Sequence, residues 1–225
     1  MLTSLQVQVK LLTAFTLPFL HIPKPLSLPQ THTSRTCLQA TISNIECASV
    51  SMAGMDPDSP GKVNQDAVFH SGSATAPKTG RFVYGGVLDG HGKKGHVLND
   101  FLGSNIPNIL QEKLDAYGDG NQTSIQEILI ETFESAHLAA RMDESVPAGR
   151  SGTTCVVTVI DTESGMIFTG NVGDSRAILA VKDSDDSDSE WRVMPLSTET
   201  TTEREDERAR IERNEGRIDS GGNVW

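Results

Sequence analysis

Three apolar segments follow one another between residues 153 and 181, joined by links of only four and two residues. The segments are Thr153–Asp161, Met166–Val172 and Ser175–Val181, and each has the length and β-branched content of a strand. Links this short leave no room for a crossover helix, so consecutive strands have to run antiparallel. This stretch therefore predicts a β meander and commits the chain to a fold built on antiparallel sheet.

Helical periodicity and further strands surround the meander. Phe82–Asp89 is an apolar strand, and Trp191–Leu196 is another. A helix is predicted from Val97 onward, with Pro107 expected to interrupt it, and Thr202–Asn214 predicts a third, charged helix. Between them, a helix capped by Thr123 or Ser124 carries a buried stripe of Ile125, Ile128, Leu129, Phe133, Ala136 and Ala140. The fold class is therefore α+β.

Charge divides the 225 residues into two parts. No acidic residue precedes Glu46, so residues 1–45 carry a charge of +3, whereas the rest of the chain holds 16 basic and 30 acidic residues. We expect 1–45 to be a disordered tail or a targeting leader, because its Ser, Thr and Pro content resembles that of both. The apolar stretch Leu11–Leu20 is too short to span a bilayer. The compartment stays open between cytoplasm or nucleus and an organelle.

Composition excludes several classes of protein. A net charge of -11 argues against nucleic-acid binding, which depends on Lys and Arg neutralising phosphates. No segment is long and apolar enough to predict a membrane span. The three cysteines, Cys37, Cys47 and Cys155, form no disulfide framework or metal knuckle, and Cys155 lies in an apolar strand where a core position is expected.

The candidate site is a group of carboxylate, glycine and histidine residues at strand ends. Asp89 ends the apolar strand and is followed by Gly90, His91 and Gly92, while Asp66 begins a separate apolar segment. A carboxylate beside an apolar sheet is costly to bury unless a partner compensates its charge. Mg²⁺ or Mn²⁺ would do so, because both prefer oxygen ligands, and an imidazole beside them can pass a proton to a leaving group. Each of these residues alone would equally suit an ordinary turn.

Four short motifs in order make the pattern specific. Together they resemble the metal-dependent Ser/Thr protein phosphatases of the PPM (type 2C) family, over roughly Ser49 to Ile218. The motifs are Lys62-Val63-Asn64-Gln65-Asp66, Leu88-Asp89-Gly90-His91-Gly92, Ser151-Gly152-Thr153-Thr154 and Asn171-Val172-Gly173-Asp174-Ser175-Arg176-Ala177.

The resemblance implies a fold, an activity and a set of site residues. It implies a four-layer αββα sandwich of two antiparallel sheets flanked by helices, and a binuclear Mg²⁺ or Mn²⁺ site at one end. Asp89 is implied to bridge both metals, Gly90 to offer its carbonyl, Asp66 to be a further ligand, and Asp174 to match a ligand of some bacterial members. His91 is implied to be the general acid. A phosphoprotein substrate follows, and we expect a monomer.

The chain also departs from the family pattern. Gln65 stands where many members have Glu, and the phosphate-binding Arg is absent. Lys62 is the nearest cation, and it is expected to take the catalytic place of that Arg only as a point charge. Thr198-Glu199-Thr200 stands where many relatives have Asp-His. The chain ends at Trp225, before the segment in which members carry two more metal-binding aspartates.

These departures leave three hypotheses for function. We expect residues 46–225 to be the N-terminal two-thirds of a PPM-type domain, from an incomplete gene record or as a truncated product. The first hypothesis is a phosphoserine and phosphothreonine phosphatase that uses a metal-activated water. The second is a catalytically silent phosphatase-like binding module, and the third is a different metallohydrolase, such as a phosphodiesterase.

Overall fold

A computed structural model describes residues 8–12, 32–37, 45, 47–54, 61–71, 80–118, 123–146, 151–182, 190–222 and 224. Ten strands and three helices lie in these ranges. In chain order they are β1 (Gln8–Leu12), β2 (His32–Cys37), β3 (Ala67–His70), β4 (Phe82–Leu88), β5 (Gly90–Gly92), α1 (Gly95–Asp115), α2 (Ile125–Met142), β6 (Ser151–Thr153), β7 (Cys155–Asp161), β8 (Met166–Val172), β9 (Arg176–Lys182), β10 (Trp191–Pro195) and α3 (Glu205–Arg213).

All the sheets are antiparallel. The larger sheet has the order β2-β8-β7-β4-β3, a three-stranded sheet has the order β1-β9-β10, and β5 and β6 form a separate two-stranded ribbon. The turn at Gly173-Asp174 thus carries the chain from one sheet to the other. The sequence predicts β8 and β9 to be paired neighbours, and this prediction is wrong. The link is as short as a hairpin turn, but β9 pairs with β1 and β10 instead of β8. Gly173, at a φ of 99°, supplies the left-handed backbone that so tight a turn requires.

The core has two parts, one on each face of the larger sheet. Alternate side chains of a strand point to opposite faces, so Val156 and Ile160 of β7 pack with Leu179 of the smaller sheet. The intervening Val157 and Val159 pack with the helices α1 and α2. Every residue of β7 is buried. Two stacked antiparallel sheets with helices on an outer face confirm the predicted α+β sandwich.

The helix α1 runs without a break through Pro107, against the sequence-based expectation. Proline costs a helix about 3 kcal/mol, because it lacks an N–H and crowds the preceding turn. Here Pro107 is buried, and on either side of it Leu102, Ile106 and Leu110 are packed into the core. Packing of this face outweighs the local penalty.

The helix α2 agrees with its predicted cap and stripe. The Ser124 hydroxyl accepts a hydrogen bond from the Glu127 N–H, and the Glu127 carboxylate accepts one from the Ser124 N–H, which is a complete capping box. Along the stripe, Phe133 is partly buried and the other predicted residues are fully buried. No helix in the described part of the chain is long and apolar enough to cross a membrane.

Two strands come from within the first 45 residues, where the sequence predicts only a tail or leader. The strand β1 pairs with β9, and β2 pairs with β8 over six residues. A sheet edge offers unpaired N–H and C=O groups to any extended segment that reaches it, so weak local strand signals suffice. The second part of the apolar stretch, residues 13–20, lies outside the described residues.

A partly buried ion pair fixes the end of β7 and supports a pH-dependent prediction. Arg81 donates two parallel hydrogen bonds to the Asp161 carboxylate, at 2.8 and 2.7 Å, and lies over the ring of Phe82. Burial alone would raise the pKa of Asp161, but hydrogen bonds from Arg81 and Ser164 outweigh burial and lower it to about 2. The folded state is therefore stabilised by the ionised carboxylate.

We expect Asp161→Asn to lower the free energy of unfolding by about 2 kcal/mol at pH 7, the scale of charge-assisted hydrogen bonds. Because the pKa of Asp161 is lower in the folded chain than its ordinary value, this contribution is complete above about pH 4 and is lost as the pH falls toward 2. Urea unfolding across this range measures it. The control is Glu163→Gln, whose exposed carboxylate also lies near Arg81 and should matter by less than about 0.5 kcal/mol. A constant difference between wild type and Asp161→Asn down to pH 2 would contradict the account.

Candidate active site and metal centre

Asp89 is held at the junction of β4 and β5 by hydrogen bonds to its backbone. Its N–H donates to the Thr154 hydroxyl at 3.1 Å, and its carbonyl accepts from the Thr154 N–H at 3.0 Å and from the Thr153 hydroxyl at 3.1 Å. The Thr154 hydroxyl also lies 2.6 Å from that of Ser175. The Ser-Gly-Thr-Thr motif therefore fixes the backbone that presents the Asp89 carboxyl group.

Removal of the Thr154 hydroxyl tests this support. Thr154→Val keeps the shape of the side chain but leaves the Asp89 N–H without its acceptor, which should lower the free energy of unfolding by about 1–3 kcal/mol. The matched control is Thr132→Val in α2, because the buried Thr132 hydroxyl only donates to the Ile128 carbonyl of its own helix. Urea unfolding of both variants compares them. If both variants lost the same free energy of unfolding, Thr154 would contribute only ordinary core packing.

Asp66 brings a second carboxyl group to Asp89. Burial raises the pKa of Asp89, and the charges of Asp66 and Asp174 together with a side-chain hydrogen bond to Asp66 raise it further, to about 6. The cation of Lys62 opposes this shift. Two carboxyl groups this close strongly favour a shared proton or a cation between them. The convergence expected from the sequence is therefore present, and the roles given to these two residues stay predictions.

The chain before Asp66 is shaped by short polar contacts. Asn64 accepts a hydrogen bond from the Asp66 N–H at 3.2 Å through its side-chain oxygen, and its amide group donates to the Ser51 hydroxyl at 2.7 Å. The Ser51 hydroxyl lies 3.4 Å from the Asp66 carbonyl. Lys62 is exposed at the beginning of this segment. Asp66 is thus set by its own loop, and Lys62 contributes a positive charge at the rim.

Gly90 allows the two chain segments to approach closely. A Cβ atom at this position would lie 2.4 Å from the Gln65 carbonyl oxygen and 2.7 Å from the Asn99 amide nitrogen. Asn99 in turn donates to that carbonyl at 2.6 Å. The Gln65 side-chain oxygen points instead toward Gly95, where it is buried and finds no hydrogen-bond partner among the described residues.

His91 and Asp174 complete the group. Burial lowers the pKa of His91, and the negative charge of Asp174 partly opposes this. Asp174 follows Gly173, whose N–H donates to the Thr200 hydroxyl at 3.0 Å, while the Asn171 amide group donates to the Gly173 carbonyl at 3.0 Å. Thr200, one of the residues that depart from the family pattern, therefore holds the turn that presents Asp174.

A cavity of about 430 Å³ lies beside this group, between α1, α2 and β6. Its walls include Leu98, Phe133 and Gly152. Asp66, Asp89 and Asp174 do not line this cavity. The carboxyl groups of the cluster therefore lie outside this largely apolar space, and Gly152 and Thr153 of β6 border both.

The Asp66 and Asp89 carboxyl groups offer oxygen atoms of the kind that divalent cations prefer, and a cation between them would relieve their mutual repulsion. Within the residues that the structure describes, no group of three or more His, Cys, Asp or Glu is spaced to hold a metal ion. The donor set fits Mg²⁺ or Mn²⁺, because Mg²⁺ commonly binds one or two carboxylates and keeps several waters.

Some of the residues that shape this site escape sequence reasoning. Thr153, Thr154 and Asn99 act on the backbone of Asp89 and Gln65 from at least 34 positions away. The Ser-Gly-Thr-Thr motif is the only signal for two of them, and it does not indicate which residues they hold. Asn99 lies on the predicted helix with no signal of its own.

Comparison with known proteins decides the family. The family model described as Protein phosphatase 2C matches residues 62–224, which is most of the chain. The chain belongs to the protein phosphatase 2C family. Members of this family depend on divalent metal ions, and the predicted PPM resemblance is confirmed.

Individual relatives agree with the family assignment. The chain is 30% identical over 164 residues to "Probable protein phosphatase 2C 35" of Arabidopsis thaliana, covering 72% of this chain and 42% of that protein. Its fold resembles a sex determining protein of C. elegans, with a TM-score of 0.56 and 17% identity over 88% of this chain and 41% of the other. It also resembles serine-threonine phosphatase 2C of Toxoplasma gondii, with a TM-score of 0.53 and 14% identity over 92% and 63%. The chain spans less than half the length of the Arabidopsis relative.

Proposed function

We propose that this chain acts in metal-dependent hydrolysis of phosphoserine and phosphothreonine in proteins. The observation that carries the proposal is the convergence of the Asp66 and Asp89 carboxyl groups, with His91 in the adjoining strand β5, two residues after Asp89. Membership of the protein phosphatase 2C family supports the same reaction class.

Each residue has a distinct task in this proposal. Asp66 and Asp89 would hold one or two divalent cations, Mg²⁺ or Mn²⁺, and the Gly90 carbonyl and Asp174 would offer further oxygen atoms. When bound, such cations supply an activated water and neutralise phosphate charge. The raised pKa of Asp89 supports this role, because a bound cation would stabilise the ionised carboxylate that burial and the neighbouring charges disfavour.

The remaining two residues act on the substrate. His91 holds a proton for the leaving seryl or threonyl oxygen. Burial lowers the pKa of its imidazole, and the negative charge of Asp174 partly offsets this effect. Lys62 attracts the phosphate as an exposed point charge at the rim of the cluster.

Hydrolysis by the purified chain tests the proposal. Phosphate release from a phosphothreonine peptide should require Mn²⁺ and stop on addition of EDTA, and a bis-aryl phosphodiester should be a poor substrate. His91→Ala should reduce turnover of the peptide by at least about 100-fold, the usual scale of general acid catalysis. A folded chain that releases no phosphate in Mn²⁺, or that prefers the diester, would contradict the proposal.

A further inference from the structure

His91 and Gly152 stand directly opposite each other in the β5–β6 ribbon. Their neighbours also pair in register, Gly90 with Thr153 and Gly92 with Ser151. In an antiparallel pair, side chains on opposed residues share one face, and their Cβ atoms are normally about 4.5–5.5 Å apart. A residue with a side chain at position 152 would therefore compete with His91 for the same space.

The imidazole of His91 occupies that space. A Cβ atom built on Gly152 would lie 2.5 Å from Cε1 and 2.6 Å from Nε2 of His91, compared with 3.5 Å from Nδ1. The outer edge of the ring therefore lies across the backbone of Gly152. Gly152 does not have a positive φ, so its backbone itself accepts any residue. Space for the ring is what requires glycine here.

We propose that Gly152 is a positioning residue for His91: the missing side chain lets the imidazole lie across β6, and the β6 backbone fixes its direction. This inference rests on the proposed function, in which His91 protonates the leaving oxygen. A general acid has to lie within hydrogen-bond reach of that oxygen, and a displacement of about 1 Å is enough to cost about 100-fold in rate.

Neighbouring residues of the Ser-Gly-Thr-Thr motif thereby act on different residues of the site. Thr153 and Thr154 hold the backbone of Asp89, while Gly152 sets the ring two residues further on. One short strand thus fixes both the carboxyl group and the imidazole. The Ser-Gly-Thr-Thr motif is a support for two different site residues.

Gly152→Ala should turn the ring away while leaving the rest of the ribbon paired. We expect turnover of a phosphothreonine peptide to fall by about 10- to 100-fold, since general acid catalysis contributes at least this much. Turnover of an aryl phosphate should change less than about threefold, because a phenolate leaves without prior protonation. In a His91→Ala background, Gly152→Ala should have no further effect on the peptide, as expected for two residues that act as a unit.

Proton NMR tests the geometry independently of activity. The wild-type chain should show a nuclear Overhauser effect between the His91 Cε1 proton and the Gly152 Cα protons, and its absence would overturn the inference. Gly152→Ala should remove the close contact to the Cα proton, whereas the control Gly103→Ala in α1 should keep it. A chain with this contact but without hydrolysis would refute the proposed function and leave the ring placement standing. The positioning role would be overturned if Gly152→Ala reduced turnover of the peptide and of the aryl phosphate equally. It would also be overturned if Gly152→Ala further reduced turnover of the peptide in the His91→Ala background.

Discussion

Asp89→Asn should make the metal-free chain more stable and at the same time remove its metal-dependent hydrolysis. The neutral amide cannot repel Asp66 and Asp174, and it loses less hydration on burial than a carboxylate. With its pKa raised to about 6, the Asp89 carboxyl group destabilises the folded state as the pH rises from about 4 through 6. Full conversion of this shift would overstate the effect at a half-buried site, so we expect a gain of about 1 kcal/mol at pH 8.

Thermal unfolding in EDTA measures this gain, which corresponds to about 2–4 °C in Tm and should vanish at pH 4. Hydrolysis in Mn²⁺ should fall by at least about 100-fold, because a metal site contributes several kcal/mol to transition-state stabilisation. The control is Asp100→Asn on the exposed side of α1, which should change neither property. A less stable metal-free variant would show that Asp89 is satisfied by protein contacts alone.

Gly90→Ala should damage both the fold and the site. The added Cβ atom would lie 2.4 Å from the Gln65 carbonyl oxygen, which is backbone and cannot rotate away. The same Cβ atom would lie 2.7 Å from the Asn99 amide nitrogen. This steric overlap can be relieved only if the segment that carries Asp66 moves away from β5. We therefore expect a loss of about 3 kcal/mol in the free energy of unfolding and a weaker electrostatic interaction between the Asp66 and Asp89 carboxyl groups.

The matched control for this change is Gly103→Ala. A Cβ atom at position 103 would meet only the Ala67 Cβ at 3.5 Å, an ordinary contact, and alanine favours a helix interior over glycine by about 1 kcal/mol. Urea unfolding should therefore show opposite signs for the two variants. If Gly90→Ala were as stable as wild type, the close approach of Gln65 to β5 would not be a property of the folded chain.

Local periodicity explains which parts of the fold the sequence predicts well. The stripe of α2 and the strands β7 and β8 depend on spacing within one segment, and they agree with prediction. Pro107 is misjudged because the rule for proline is local and the packing that overrides it is not. The turn at Gly173 is misjudged because a two-residue link that changes sheets has the same composition as a hairpin turn.

The candidate site also contains residues that the sequence predicts and supporting residues that it does not. Asp66, Asp89 and His91 are accessible to sequence reasoning because each stands at the end or beginning of an apolar strand. The supporting roles of Thr154 and Gly152 depend on the register between β5 and β6, which are about 60 residues apart in the chain. Register between distant strands is decided by the assembled sheet, so no local pattern could reveal that Gly152 makes room for His91.

Mn²⁺ titration calorimetry of the wild-type chain, Asp66→Asn, Asp89→Asn and Asp100→Asn tests most directly whether the two carboxyl groups form a cation site. We expect the wild type and Asp100→Asn to bind Mn²⁺, and each of the other two variants to bind it at least about tenfold more weakly, since each removes a direct ligand charge. Binding that is unchanged in Asp66→Asn and Asp89→Asn, or absent from the folded wild-type chain, would contradict it.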